Sequence, residues 1–358
     1  MARSRITSSS ATKKMMNTPR NHMLFVLVTA LMAVVVRHAH AINYERVMKG
    51  AARFLSTPEA RAQQEEDMRQ FVAIASVAAS ADYDEETQKC AEWLSDWLYL
   101  RLGMEDATWY ESGYRHPVVI GSTASTPTAR KDKPSIVLYG HYDVQPVDGE
   151  WTISAPFELK KIFLEGYGDV LTGRGSQDCK GTLYSALSAL AALHEVLPGG
   201  LPSLPFNIVV CVEGEEEIGS PGFGHVLKKH KSRFEGADFV LSSDGDQPYT
   251  DRGTLSLSTR GMFGVQIDAQ GANTDLHSGG YGGSLLNPII GLSRVVASIH
   301  DPMTNRIALP GFYDDVVELA DWERAELEVL DDKVEAEKLG VGEMAGEKGY
   351  RYEYFSIS

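Results

Sequence analysis

The chain has 358 residues, a length that predicts two domains or one large domain with an insertion, and its hydrophobic content of 43% excludes a disordered or fibrous chain. It carries 34 basic and 49 acidic residues, for a net charge of −15. A surface this acidic repels phosphate backbones, so we expect no nucleic-acid partner. The three cysteines are widely spaced and predict no disulfide framework, so any metal should be held mainly by histidines and carboxylates.

The first 41 residues have the features of a targeting segment. They contain six basic residues and no acid, and the stretch 23–36 is apolar except for Thr29. This stretch is shorter than a membrane-spanning helix, so the mature chain should have no stable membrane span. Ala39-His-Ala41 has the small-x-small pattern of a cleavage site, which predicts a signal peptide over 1–41 and a secreted or secretory-pathway protein. A transit peptide to the mitochondrion or another organelle is the alternative.

Helices and buried strands are predicted to alternate through the rest of the chain. The predicted helices cover 58–78, 86–102, 181–197 and 313–338, and the predicted extended segments cover 135–139, 206–212, 239–241 and 255–265. This alternation predicts an α/β protein with a largely parallel sheet, in which ligands bind at the carboxyl ends of the strands. Polar clusters follow three of the strands, so we expect one site at one edge of the sheet.

Two of the candidate segments contain an aspartate that could serve a metal site. His141 and Asp143 follow the first strand and share a face of it, so the carboxylate could orient the imidazole for a metal. Taken alone, a polar turn is the simpler interpretation of this pair. Asp178 lies among glycines just before a predicted helix, where a helix cap and a metal ligand are equally good interpretations.

The remaining candidate segments add more carboxylates and a second histidine. Four carboxylates lie between Glu213 and Glu217 after a buried strand, and they repel one another unless a cation compensates. Asp244 follows a third strand, and His277 lies among glycines, where it could polarise a developing oxyanion or simply be solvated. Together these residues supply the side chains of a two-metal hydrolase, which needs a bridging carboxylate, a glutamate base and terminal ligands.

Five motifs, in this order, resemble the carnosinase-like dipeptidase branch of the di-zinc metallopeptidases, a family with aminoacylase and carboxypeptidase G relatives. The motifs are GHYDVQP at 140–146, GRGSQDCKG at 173–181, EGEEEIGS at 213–220, Ser243-Asp244 and HSGGYGG at 277–283. The resemblance covers residues 45–358, and the first motif in particular is similar to the dipeptidase branch.

The resemblance implies two zinc ions per subunit, with manganese as a substitute. The implied metal ligands are His141, Asp178, Glu217 and Asp244. Asp178 would bridge the two ions and precede a cis peptide bond to Cys179. Asp143 would orient His141, Glu216 would be the general base, and His277 would contact the substrate or the oxyanion.

The implied reaction is hydrolysis of a dipeptide or short peptide. A water between the zinc ions would lose its proton to Glu216 and attack the scissile carbonyl, and Glu216 would then protonate the leaving amine. An N-acyl-amino-acid deacylase or another exopeptidase of the family is the first alternative. A non-catalytic fragment that acts only by binding or dimerisation is the second.

The implied fold is a mixed, mainly parallel catalytic sheet flanked by helices, with an inserted smaller α+β lid and dimerisation domain that forms a homodimer. The expected segments are 1–41 for targeting, 42–260 for the catalytic domain and 261–358 for an incomplete lid. Family members return from the lid to complete the sheet and supply a last zinc-binding histidine. Only His300 follows His277, so we expect the C-terminal part of the fold to be missing.

Overall fold

A computed structural model describes residues 44–124, 133–245, 264–304, 306–317, 336–337 and 339–342. The chain divides into two compact units, Met1–Leu255 and Ser256–Ser358. The predicted targeting segment, most of the acidic helix at 313–338, most of the extended segment at 255–265 and the boundary at 260/261 lie outside the described residues. Over the described part of the chain, no helix combines the length and the apolar character that crossing a membrane requires.

The first unit contains the helices and strands that position the candidate site. Its helices are α1 (Tyr44–Leu55), α2 (Pro58–Ala73), α3 (Asp84–Leu102), α4 (Lys180–Val196), α5 (Phe223–Lys229) and α6 (Lys231–Phe234). Its strands are β1 (Thr108–Tyr110), β2 (Val118–Ser122), β3 (Ser135–His141), β4 (Lys160–Leu164), β5 (Gly168–Thr172), β6 (Asn207–Glu213) and β7 (Phe239–Ser242). In the second unit, α7 (Ser278–Tyr281) and α8 (Pro288–Ile299) are described.

Helix boundaries follow local capping chemistry. The side chain of Thr57 accepts a hydrogen bond from the N–H of Ala60 at 3.2 Å, and Pro58 occupies the first position of α2. That helix ends at Ala73, earlier than predicted, because Ile74 is already extended. Helix α3 ends at Gly103, which adopts a left-handed conformation with φ of 64° and so favours glycine.

The central sheet has the strand order β1-β2-β6-β3-β7. Strand β3 lies between β6 and β7 and is parallel to both, whereas β2 is antiparallel to β6 and to β1. Strands β4 and β5 form a separate antiparallel pair. The expected mixed α/β sheet flanked by helices is therefore confirmed. Because β3, β6 and β7 are parallel neighbours, their carboxyl ends meet at one edge.

Alternate residues of the central strands pack against helices on opposite faces of the sheet. Leu138 and Val210 face a large core with residues of α2, α3 and α4, whereas Val137 and Val209 face a smaller one with Val226 of α5. Strand β6 is buried along its whole length. A strand covered on both faces is a continuous apolar run, which explains why the sequence predicted it well.

Lys180 connects the start of α4 to the end of α2. Its side chain is fully buried, and its ammonium group donates hydrogen bonds to the backbone carbonyls of Phe71 at 2.8 Å and Ile74 at 2.5 Å. Carbonyls at the end of a helix have no partner within the helix, so the lysine satisfies them. Burial lowers the pKa of Lys180. These two hydrogen bonds fix the position of the chain immediately after Asp178.

We expect Lys180→Met to lower the free energy of unfolding by about 2–4 kcal/mol, because two buried carbonyls lose their partner. Urea denaturation of the full chain measures this change. Lys49→Met is the matched control, since Lys49 forms an exposed ion pair with Glu45 that contributes little. Equal stabilities of the two variants would contradict the structural role of Lys180.

Candidate metal centre

Ionisable side chains from four segments meet at the carboxyl edge of β3, β6 and β7. His141 is the last residue of β3 and is buried. Its Nε2 lies 3.4 Å from Oδ1 of Asp178, 3.7 Å from Oδ2 of Asp244 and 3.9 Å from Oε2 of Glu216. Asp178 lies before α4, Glu216 follows β6 and Asp244 follows β7. The fold thus brings together four residues that are up to about a hundred positions apart in the sequence.

Asp143 is placed to orient His141. It is fully buried, and its Oδ1 lies 3.3 Å from Nδ1 of His141. The same carboxylate accepts hydrogen bonds from the backbone N–H groups of Glu216 at 3.3 Å and Glu217 at 3.0 Å. The carbonyl oxygen of Asp143 lies 3.1 Å from the same Nδ1. With two acceptors at Nδ1, a neutral imidazole would carry its proton there, which would leave the lone pair of Nε2 available for a cation between it and the carboxylates.

The donor set at this edge fits a divalent metal ion. Nε2 of His141 is buried and has no hydrogen-bond partner among the described residues. Buried polar atoms are otherwise almost always satisfied, so an orphaned nitrogen facing Asp178 and Asp244 calls for a positive partner. Imidazole nitrogen and carboxylate oxygen are ligands that zinc prefers.

The electrostatics of the edge favour a positive charge there. Burial would lower the pKa of His141, but interactions with Asp143 and Asp244 outweigh burial and raise it. Burial raises the pKa of Glu216, and the nearby charges of Asp143, Asp244 and Asp178 raise it further against the effect of His141. Carboxylates crowded in this way repel one another unless a cation is shared among them.

The structure places the remaining predicted residues as follows. Glu217 lies in the same turn as Glu216, and its Oε2 accepts a hydrogen bond from the side chain of Gln145 at 2.6 Å. The peptide bond between Asp178 and Cys179 is cis, as the resemblance implied. His277 belongs to the second unit, where it is exposed and directly precedes α7. The metal-ligand role of Glu217 and the substrate contact of His277 stay predictions.

Two glutamates of the acidic run are structural, which the sequence did not reveal. Oε1 of Glu215 accepts hydrogen bonds from the Ser112 hydroxyl at 2.8 Å and from the N–H groups of Arg115 and His116 at 2.9 and 2.7 Å. Its Oε2 accepts one from the N–H of Gly222 at 2.8 Å. The buried Glu215 therefore anchors the turn that carries Glu216 and Glu217.

Glu213 is the second structural member of the run. It is buried at the end of β6, and its Oε1 accepts hydrogen bonds from the hydroxyls of Tyr139 at 2.8 Å and Ser220 at 3.0 Å. Burial raises the pKa of Glu213 to about 7. A run of identical residues carries no periodic signal that separates buried members from those at the edge, so only the fold assigns them.

A buried thiol also lies at the site, although the sequence analysis expected mainly histidine and carboxylate donors. Sγ of Cys179, a ring nitrogen of His141 and a carboxylate oxygen of Asp244 all lie within 4.8 Å of one another. In the sequence, Cys179 directly follows the candidate ligand Asp178, and this position was the signal that could have identified it.

The α/β fold places a set of possible metal donors at the ends of the central strands, an arrangement typical of metal-dependent enzymes of the α/β class. The chain belongs to peptidase family M20/M25/M40, whose profile matches residues 137–345. Peptidases of this family use metal ions, generally zinc. The resemblance to carnosinase-like dipeptidases is thereby confirmed.

Three similar proteins illustrate the relationship. A Cys-Gly metallodipeptidase of Candida albicans is 33% identical over 75% of this chain and 56% of its own length. The human Beta-Ala-His dipeptidase is 32% identical over 58% of this chain and 38% of its own length. The structure of an M20 family metallo-carboxypeptidase from Sulfolobus solfataricus matches with a TM-score of 0.59 and 27% identity, over 81% of this chain and 62% of that one. The chain spans about half the length of the curated relatives it matches.

These relatives correct the expected location. The composition of residues 1–41 predicted a secreted or secretory-pathway protein, with an organellar one as the alternative. The Cys-Gly metallodipeptidases of yeasts that match this chain are cytosolic enzymes and not secreted ones, so that prediction is wrong. A basic segment followed by an apolar stretch is a pattern of composition alone, and such patterns also occur in segments that direct no export.

The same substitution should change the free energy of unfolding differently at the neighbouring residues Glu215 and Glu216. We expect Glu215→Gln to lower the free energy of unfolding by about 2–4 kcal/mol, because an amide nitrogen would face backbone N–H donors. Glu216→Gln should change the free energy of unfolding by less than about 0.5 kcal/mol or raise it, because the substitution removes one of several crowded charges. Chemical denaturation in the presence of a chelator measures both. A larger loss for Glu216→Gln than for Glu215→Gln would refute this division of roles.

Asp143→Asn should weaken zinc binding roughly 10- to 100-fold, because the residue that orients a metal-binding histidine loses its charge. Competition with a chromophoric chelator measures the affinity. Asp96→Asn, a change of an exposed carboxylate on α3, is the control and should leave the affinity unchanged. If Asp143→Asn binds zinc as tightly as the unmodified chain, Asp143 does not orient the ligand.

Proposed function

We propose that this chain carries the metal-dependent active site of a dipeptidase. One observation supports this above the others: Nε2 of His141 is buried, has no hydrogen-bond partner within the part of the chain that the structure describes, and faces the carboxylates of Asp178, Asp244 and Glu216. In a metallopeptidase family, such an arrangement is suited to activating a water for attack on a peptide carbonyl.

The proposed cofactor is a pair of zinc ions, for which manganese can substitute. The residues that would hold the metal are His141, Asp178, Glu217 and Asp244. When bound, the metal would polarise the scissile carbonyl and lower the pKa of a bound water. Asp143 would keep His141 in the tautomer that leaves Nε2 available, through its contact with Nδ1.

Glu216 is the proposed general base. Its side chain is 39% exposed, so solvent and substrate can reach it, and its Oε2 lies 3.9 Å from Nε2 of His141. In the metal-free chain, burial and neighbouring carboxylates raise the pKa of Glu216. Glu216 would take a proton from the attacking water and pass it to the leaving amine. Asp143 holds its backbone N–H and so fixes its place at the edge.

The proposed substrates are dipeptides or short peptides. Support comes from the names of the similar proteins, which describe hydrolysis of Cys-Gly and Beta-Ala-His dipeptides. His277 is proposed to contact the substrate or the oxyanion. A homodimer, which the resemblance implies, stays a prediction that light scattering can measure.

Glu216→Gln should reduce kcat for dipeptide hydrolysis by about 10²- to 10⁴-fold, because the group that moves the proton is lost. The assay incubates the full chain with zinc or manganese and with Cys-Gly, Beta-Ala-His, other dipeptides and N-acyl amino acids. Glu235→Gln, which alters an exposed surface carboxylate, should retain the activity of the unmodified chain.

The outcomes separate the three functions. Hydrolysis of dipeptides that disappears in Glu216→Gln supports the proposal, whereas hydrolysis of N-acyl amino acids alone would support a deacylase. A folded chain that binds zinc and cleaves neither class contradicts the proposed activity and favours a binding function.

A further inference from the structure

A buried cysteine lies beside the orphaned nitrogen of His141. Cys179 directly precedes α4, and its side chain is completely buried and in no disulfide. The preceding residue behaves differently, since the carboxylate of Asp178 is 68% exposed. Two successive side chains thus lie near the same imidazole, one exposed to solvent and one buried.

Cys179 completes a set of three different donor atoms. Its Sγ, a ring nitrogen of His141 and a carboxylate oxygen of Asp244 lie within 4.8 Å of one another. The other contact of the thiol is Oγ1 of Thr182 at 3.3 Å, and sulfur forms only weak hydrogen bonds. The Thr182 hydroxyl also has the carbonyl of Cys179 as an acceptor at 3.0 Å, so it does not depend on the sulfur. The weak contact with Thr182 therefore does not prevent Sγ from binding a cation placed beside His141 and Asp244.

The other two cysteines do not share this environment. Cys211 lies within β6, and burial raises its pKa to about 12. Cys90 is buried in α3, and burial raises its pKa as well. Within the described part of the chain, neither belongs to a cluster of three or more possible metal donors. A specific position beside His141, rather than burial in general, distinguishes Cys179.

We propose that Cys179 is a metal ligand that adds a sulfur donor to the site formed by His141 and Asp244. On binding, the S–H bond breaks, its proton passes to solvent, and the sulfur lone pair forms the bond to the metal. The inference rests on the proposed function, because it concerns the same metal site. Thiolate is a soft ligand that selects zinc or cadmium, whereas a site of oxygen ligands accepts manganese. Cys179 therefore sets the metal preference of this chain.

X-ray absorption of the zinc-loaded full chain tests the inference without any substitution. We expect a sulfur shell at about 2.3 Å in addition to nitrogen and oxygen at about 2.0–2.2 Å. The Cys90→Ser/Cys211→Ser double variant should keep this shell, because Cys179 is then its only thiol. Zinc that is bound with nitrogen and oxygen neighbours alone overturns the inference and leaves the proposed hydrolase intact.

A second measurement uses the metal preference. Cys179→Ser should lower the ratio of zinc to manganese affinity roughly 10- to 100-fold and should abolish the ultraviolet sulfur-to-metal absorption of the cadmium-loaded chain. An unchanged ratio with an unchanged absorption band overturns the inference. Failure of the unmodified chain to bind zinc in equilibrium dialysis would instead refute the metal site itself, and with it the proposed function.

Discussion

One buried carboxylate joins the parts of this site. Asp143 contacts Nδ1 of His141 at the end of β3 and accepts the backbone N–H groups of Glu216 and Glu217 after β6. A carboxylate that is fully buried must be satisfied by such donors, since an unpaired buried charge is very costly. The same contacts that satisfy Asp143 therefore align the imidazole and fix the turn that carries the proposed base.

The acidic run after β6 shows how the fold separates residues of one type. Glu213 and Glu215 are buried and accept hydrogen bonds from the surrounding protein, whereas Glu216 and Glu217 are only partly buried and lie at the edge of the sheet. Anchoring by the first pair allows the second pair to remain close to other carboxylates. The remaining repulsion between carboxylates destabilises the metal-free chain. A bound cation relieves this repulsion, so the repulsion favours cation binding.

The carboxylates and the thiol near His141 differ in burial. The carboxylates of Asp178 and Asp244 are accessible from solvent, and Sγ of Cys179 is buried beneath them. Lys180 holds this segment in place through the carbonyls at the end of α2. The proposed metal role of Cys179 and the structural role of Lys180 thus fall on two adjacent residues of one segment.

The sequence by itself determined the class of fold, the central strands β3, β6 and β7, the longer helices α2, α3 and α4, and the motifs that identify the family. These features depend on local capping and on apolar runs, which a linear pattern records. It did not predict the antiparallel strands β1 and β2 or the pair β4 and β5. Only the tertiary structure decided which members of the glutamate run reach the edge and that Cys179 lies beside His141. These outcomes depend on contacts between residues far apart in the chain, such as Glu215 with Ser112 and His141 with Asp244, and no local pattern encodes them.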